Sequence, residues 1–133
     1  MQRNKILIAD DEEAVRGSHA RALKDVFKGM EVEPFDDGDA LEQRLKRDVS
    51  DVAVIIADKD IRGVSGNEII RKYANRFEFE NISFILSHRD EEDYGRKAVS
   101  DGAFAHLTRS YSPFLLLGVV GKAIKKYNSQ KRS

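Results

Sequence analysis

The 133-residue chain has no cysteine. That removes disulfide frameworks and thiolate metal sites. It also lacks any excess of charge, since 23 basic residues balance 23 acidic ones. A nucleic-acid binder usually shows a basic surplus, so the whole-chain charge gives that function no support. Long apolar runs are missing too. FLLLGVV (114–120) is the longest strongly apolar stretch, far short of the roughly 20 residues needed to span a bilayer. No charged-then-apolar leader opens the chain. The expectation is a soluble cytoplasmic domain with no membrane contact and no nucleic-acid contact of its own. What the chain does have is 41% apolar residues, enough for a core, in a length that suits one domain.

Five apolar runs alternate with five amphipathic windows. KILIADD (5–11) reads as a strand that runs into acids. Residues 12–27 read as a helix with Val15, Ala22, Leu23, Val26 and Phe27 near one face. Residues 30–38 read as a half-exposed strand, placed at a sheet edge by Pro34. A short helix follows over 38–47. DVAVIIAD (51–58) is a strand buried on both faces. After a loop with two glycines (61–66) comes a helix over 67–77, with Ile69, Ile70, Tyr73 and Phe77 on one side. ISFILS (82–87) is another buried strand. Residues 90–103 form a helix stopped at Gly102, and 104–108 a short fifth strand. Ser112 and Pro113 open a last helix that runs to about Tyr127, with 128–133 as a polar, basic tail. Residues 1–127 thus form one α/β domain, a (βα)5 doubly wound sandwich on a five-stranded parallel sheet.

In such folds ligands bind beyond the carboxyl ends of the strands. The polar residues there are Asp10 and Asp11 after the first strand, Asp58 ending the third, Ser87 ending the fourth, and Thr108 and Arg109 after the fifth. Three converging carboxylates repel one another and call for a cation between them. An oxygen-only donor set favours a hard ion such as Mg²⁺. A carboxylate beside Mg²⁺ is also a competent nucleophile toward phosphorus. Ser87 offers a hydroxyl and Arg109 a fixed cation for the phosphoryl oxygens. Each of these residues alone has a plainer explanation: Asp10–Asp11 as a helix start, Asp58–Asp60 as a turn, Arg109 as a surface charge. Their conjunction points to an acidic Mg²⁺ site.

This order of parts resembles the response-regulator receiver domain of two-component signalling (CheY-like), from Ile6 to about Ile124. The resemblance includes the length of the Asp58–Gly66 loop and the Gly102–Ala103 pair before the fifth strand. It implies strand order 2-1-3-4-5. It implies a phosphoryl switch in a phosphorelay, not an enzyme beyond self-catalysed phosphotransfer and dephosphorylation. Asp58 is then the phosphoacceptor, charged by a partner histidine kinase or phosphotransfer protein. Asp11 and Asp58 hold Mg²⁺, with Asp10 helping and the Asp60 carbonyl as a further ligand. Ser87 bonds the phosphoryl group and carries the switch to a downstream protein target. Several positions depart from the family pattern. Arg109 and Ser110 replace lysine and proline, and arginine is longer, planar and forked. Arg62 replaces a loop proline. His88 replaces a small residue and is expected to crowd the mouth of the site, and His106 replaces the switch aromatic. Asp60 and Arg89 are expected to pair across that mouth and tune phosphoryl lifetime.

The three histidines, His19, His88 and His106, are scattered along the chain and form no metal-ligand pattern. The last helix needs only Leu116, Val120, Ala123 and Ile124 for the core. That leaves Phe114, Leu115, Leu117 and Val119 for deeper packing or for an interface, for example a homodimer through the fourth helix, fifth strand and last helix. Two other functions compete. One is an atypical receiver that binds proteins without phosphorylation. The other is a haloacid-dehalogenase-like Mg²⁺ phosphohydrolase, whose DxD motif DKD (58–60) resembles. The early position of Asp10–Asp11 and the lack of room for a cap weigh against the hydrolase.

Overall fold

The computed structural model describes residues 3–89, 92–108 and 112–132, leaving out the side chains of 92–94 and 128–132. The alternating pattern of the sequence becomes β1 (Lys5–Ala9), α1 (Glu13–Val26), β2 (Glu31–Phe35), α2 (Gly38–Leu45), β3 (Val52–Asp58), α3 (Gly66–Tyr73), β4 (Ser83–His88), α4 (Glu92–Ser100), β5 (Ala105–Thr108) and α5 (Phe114–Arg132). The strands pair in parallel, in the order β2-β1-β3-β4-β5. The expected doubly wound sandwich is the observed one. Pro34 sits on β2 at the sheet edge, where its missing N–H costs no ladder bond.

Side-chain alternation along the strands divides the core in two. Ile6, Ile8, Val54, Ile56, Ile85 and Leu107 face α1 and α5, where they meet Leu23, Leu116, Val120 and Ala123. Leu7, Ala9, Ile55, Ala57, Phe84 and Leu86 face α2, α3 and α4, where they meet Leu41, Ile69, Ile70 and Ala98. All seven residues of β3 are buried, because both sheet faces are covered at the centre.

Four expectations change. First, α3 stops at Tyr73 and a 3₁₀ turn follows over Phe77–Phe79. Phe77 is therefore 80% exposed, while Phe79 is buried, tilted between the rings of Tyr73 and Phe84. Second, Val26 closes α1 at the surface, and the buried positions of that helix are Val15, His19, Ala20 and Leu23. No later turn of helix shields Val26. Third, α5 runs on through Arg132. The stretch 128–132 contains no proline or glycine to break a helix. Ser133 lies outside the described residues. Fourth, α5 begins one residue later than expected, at Phe114, whose N–H donates to Ser112 Oγ at 3.3 Å. Gly102, with φ +117°, follows α4 as expected. Leu117 and Val119 are half-buried against the core, so of the three predicted interface residues only Leu115 is exposed.

A buried carboxylate ties α2 to α3. Glu42 Oε2 accepts from Lys72 Nζ at 2.6 Å and from Tyr73 Oη at 2.8 Å. These bonds hold the Glu42 carboxyl below its ordinary range, with Lys72 the larger cause and Tyr73 the second. Burial, together with the bond to Glu42, raises the Tyr73 phenol. Because the folded-state pKa of Glu42 is depressed, its contribution to stability is complete above the ordinary carboxylate value. It is lost as pH falls through the folded-state value. Glu42→Gln is therefore expected to lower the melting temperature near neutral pH and to lose less on acidification than wild type, read from thermal melts across pH 3–7. Phe79→Ala should cost about 3–5 kcal/mol and Phe77→Ala less than about 0.5 kcal/mol, measured by urea unfolding.

Candidate functional site

The same alternation that builds the core aims the polar residues beyond it. Ile6 and Ile8 put Asp10 on the α1/α5 side of the sheet, and Val54 and Ile56 do the same for Asp58. Ile85 does so for Ser87. The register places Asp58 directly beside Ser87 and Ala9 beside Ala57. The ends of β1 and β3 therefore lie together at the point where strand order reverses. Asp10, Asp11 and Asp58 each bring an oxygen within 4.8 Å of the others, with Asp10 and Asp58 buried and Asp11 half-buried. This oxygen-only set of three carboxylates fits a hard divalent cation such as Mg²⁺.

The surrounding backbone fixes these side chains. Asp10 Oδ1 accepts from the Glu12 N–H at 2.9 Å, and the Asp10 carbonyl accepts from Arg16 at 2.8 Å. Asp58 Oδ1 accepts from the Asp60 N–H at 3.3 Å, and the Lys59 N–H donates to the Ser87 carbonyl at 2.7 Å. Arg62 donates to the Asp36 carbonyl at 3.3 Å, its own carbonyl accepts from the Gly38 N–H at 2.7 Å, and the Val64 N–H donates to Asp39 at 3.1 Å. Arg62 thus fastens the loop where the family has proline. Gly66 closes the loop tightly, since a Cβ there would lie 2.7 Å from the Asp58 carbonyl oxygen.

Three expectations about the mouth of the site are corrected. Asp60 and Arg89 do not pair. Arg89 reaches Glu12 at 3.4 Å, and Asp60 takes Lys59 at 3.4 Å. Both have an opposite charge nearer than each other. Lys59, expected as a plain surface charge, is mostly covered, its side chain 15% exposed. His88 does not crowd Asp58. It follows Ser87 by one residue and so points to the opposite face of the sheet. There it is buried, and its Nε2 lies 2.9 Å from His106 Nδ1, with the two rings stacked. Two of the three scattered histidines therefore meet, as a pair bonded to each other. Arg109 and Ser110 lie outside the described residues.

Gly95 and Glu12 went unnoticed in the sequence. Gly95 sits within α4 against the His106 ring, and a Cβ there would collide with His106 Nδ1. Its signal was a glycine inside a helical window, which costs stability unless close packing requires it. Glu12 gave no signal beyond its place beside the acidic pair.

A family model described as the response regulator receiver domain matches residues 6–120. The chain belongs to this family. It is a receiver domain of the two-component response regulators, a signalling domain. The chain is 30% identical over 123 residues to the phosphate regulon transcriptional regulatory protein PhoB of Rhizobium meliloti, covering 92% of this chain and 52% of that protein. It is 26% identical to the transcriptional activator protein ExaE of Pseudomonas putida, covering 90% and 54%. The chain thus spans about half the length of these two curated relatives. Among solved structures, a CheY-like receiver domain from Methanospirillum hungatei superposes with a TM-score of 0.78 at 21% identity, covering 96% of this chain and 98% of the other. The receiver domain of a DNA-binding response regulator from Colwellia psychrerythraea gives 0.81 at 18% identity, covering 92% and 98%. These two likenesses show the fold. Among the described residues no helix is long and apolar enough to cross a membrane.

The contact between Gly95 and His106 predicts a coupled pair of substitutions. Gly95→Ala should destabilise the receiver by about 1–3 kcal/mol through overpacking. Most of that cost should disappear when His106→Ala is already present. Urea unfolding of the double-mutant cycle reads the coupling directly.

Proposed function

We propose that the receiver works as a phosphorylation switch with Asp58 as its acceptor. The observation that carries this is the gathering of Asp10, Asp11 and Asp58 beside Ser87 at one sheet edge. In the proposed reaction an Asp58 carboxylate oxygen attacks the phosphorus of a phosphohistidine on a partner kinase or phosphotransfer protein. An O–P bond forms, the N–P bond breaks, and its electron pair leaves with the imidazole. Mg²⁺ held by Asp10, Asp11, Asp58 and the Asp60 carbonyl would offset the charge that gathers there. The Ser87 hydroxyl donates to a phosphoryl oxygen, and Arg109 supplies the fixed cation that lysine gives elsewhere in the family. Self-catalysed dephosphorylation returns the domain to rest.

Output follows from the chain itself. Ser87 is joined covalently to His88, and His88 is bonded to His106 beneath α4. A pull on Ser87 toward the phosphoryl group therefore acts on the packing of β5 and α4, where a downstream protein or a second receiver would sense it. Val99 of α4 and Leu115 of α5 are exposed apolar residues there. The competing function, a binding module indifferent to phosphorylation, is motivated by Arg109 and Ser110. The crowding by His88 that also motivated it is absent.

One experiment separates the two. The receiver is incubated with acetyl phosphate and Mg²⁺, and intact mass is read for wild type and Asp58→Ala. The expected result is a gain of one phosphoryl group in wild type, abolished by Asp58→Ala and by chelating the metal. No gain in wild type, together with no binding of beryllofluoride and Mg²⁺ at Asp58, would leave the phosphorylation-independent module in its place.

A further inference from the structure

The face of α5 turned toward α1 lies outside the acidic site. Its residues Phe114, Leu117, Gly118 and Gly121 recur at helical spacing. With Val26 of α1 and Phe27 just after it they enclose an open apolar groove of about 480 Å³. Phe114 is 82% exposed and Val26 54% exposed, a large apolar surface for a charge-rich chain. Glycine makes the floor. A Cβ at Gly118 would meet nothing within 4 Å, and one at Gly121 would only touch the Phe27 ring at 3.8 Å. Two lysines, Lys122 and Lys125, line the rim. No acidic residue occurs in α5 from Phe114 to Arg132, and Lys24 near the end of α1 and Lys28 just after it flank a single acid, Asp25. In a chain with no net charge this is a local concentration of positive potential around an apolar trough.

We infer that this groove docks an amphipathic helix of a partner protein, with large apolar anchors and acidic flanks. Helix-in-groove recognition needs a trough that accepts anchors at i, i+3, i+4 and i+7, and the bare glycine floor lets a helix backbone approach. The lysine rim selects acidic flanks. It also disfavours a second copy, because a two-fold contact through this face sets lysine opposite lysine. A concave trough suits a helix better than a flat lipid surface. Val26 lies 13 residues along α1 from Glu13, which is about 20 Å of helix. The Val26 end of the groove is therefore remote from the acidic site, and none of the lining residues belongs to that site, so binding is expected not to depend on Asp58.

The test uses two synthetic helical peptides of about 18 residues with the same Leu and Phe anchors, one flanked by glutamates and one by lysines. The acidic peptide should bind the receiver, shift the amide signals of Phe27, Gly118 and Gly121, and weaken as salt rises. The basic peptide should not bind. Binding should survive Asp58→Ala, fall at least about tenfold in Lys122→Glu/Lys125→Glu, and vanish in Gly118→Glu. Gly118→Glu adds its side chain into open space and should keep the wild-type melting temperature. Equal binding of the two peptides, or binding of neither, would overturn the inference. So would a receiver dimer mapped to this groove, or partition onto anionic phosphatidylserine vesicles in place of peptide binding.

Discussion

Three carboxylates held within 4.8 Å of one another repel with about 3 kcal/mol per pair at an effective dielectric near 20. Much else in the structure answers that constraint. Flexible elements would relax by swinging the acids apart. Here they cannot, because Asp10 and Asp58 continue β1 and β3, strands buried almost completely along their length and paired to each other in register. The conflict is held by the ladder and by two half-cores that lock both faces of the sheet. It is eased locally by backbone N–H groups, which donate to Asp10 and Asp58.

The same constraint explains why the loop after β3 is fastened so firmly. Arg62, Val64 and Gly66 are each tied to α2 or to Asp58 itself. A loop free to drift would change the number of donors facing Asp58 and with it the charge balance of the site. The residues beside the acids on β4 and β5 are the ones the proposed switch would move. These strands hold Ser87 next to the acids and, one residue on, a histidine pair joined side chain to side chain beneath α4. A site built on rigid acids with an adjustable neighbour is suited to report added charge by moving that neighbour, as the proposed switch requires.

The fold was legible where burial and chemistry changed abruptly. VIIAD and FILS show a strand ending in a polar residue, and that is enough to locate Asp58 and Ser87. The order of the strands was not legible in the residues and came from resemblance. Local errors have local causes. Phe77 suits the apolar face of a helix continued past Tyr73, and no glycine or proline marks the stop there. The expected Asp60–Arg89 pair assumed that symmetric positions must meet, whereas each charge took a nearer partner, Lys59 and Glu12. The orientation of His88 was readable all along. If Ser87 faces Asp58, period-2 alternation sends His88 to the other face, and His106, next to the inward Leu107, goes there too.

The last helix extends this logic to the surface. Its core stripe of Leu116, Val120 and Ala123 leaves two separate exposed faces. One passes through Leu115 and Val119 to Lys126, which lies over the Phe104 ring at 5.3 Å and so borders β5. The other passes through Phe114, Gly118 and Gly121 to Lys125 and borders α1. The first borders the strand paired with that of Ser87, and the second borders Val26 and Phe27. Two faces on one helix allow two kinds of contact from one element, and in the proposed switch the face along β5 is the one that would respond to charge at Asp58. The run FLLLGVVG needs both faces to account for it: the core uses two of its six large apolar residues outright, Leu116 and Val120, and the other four are divided between the two sides.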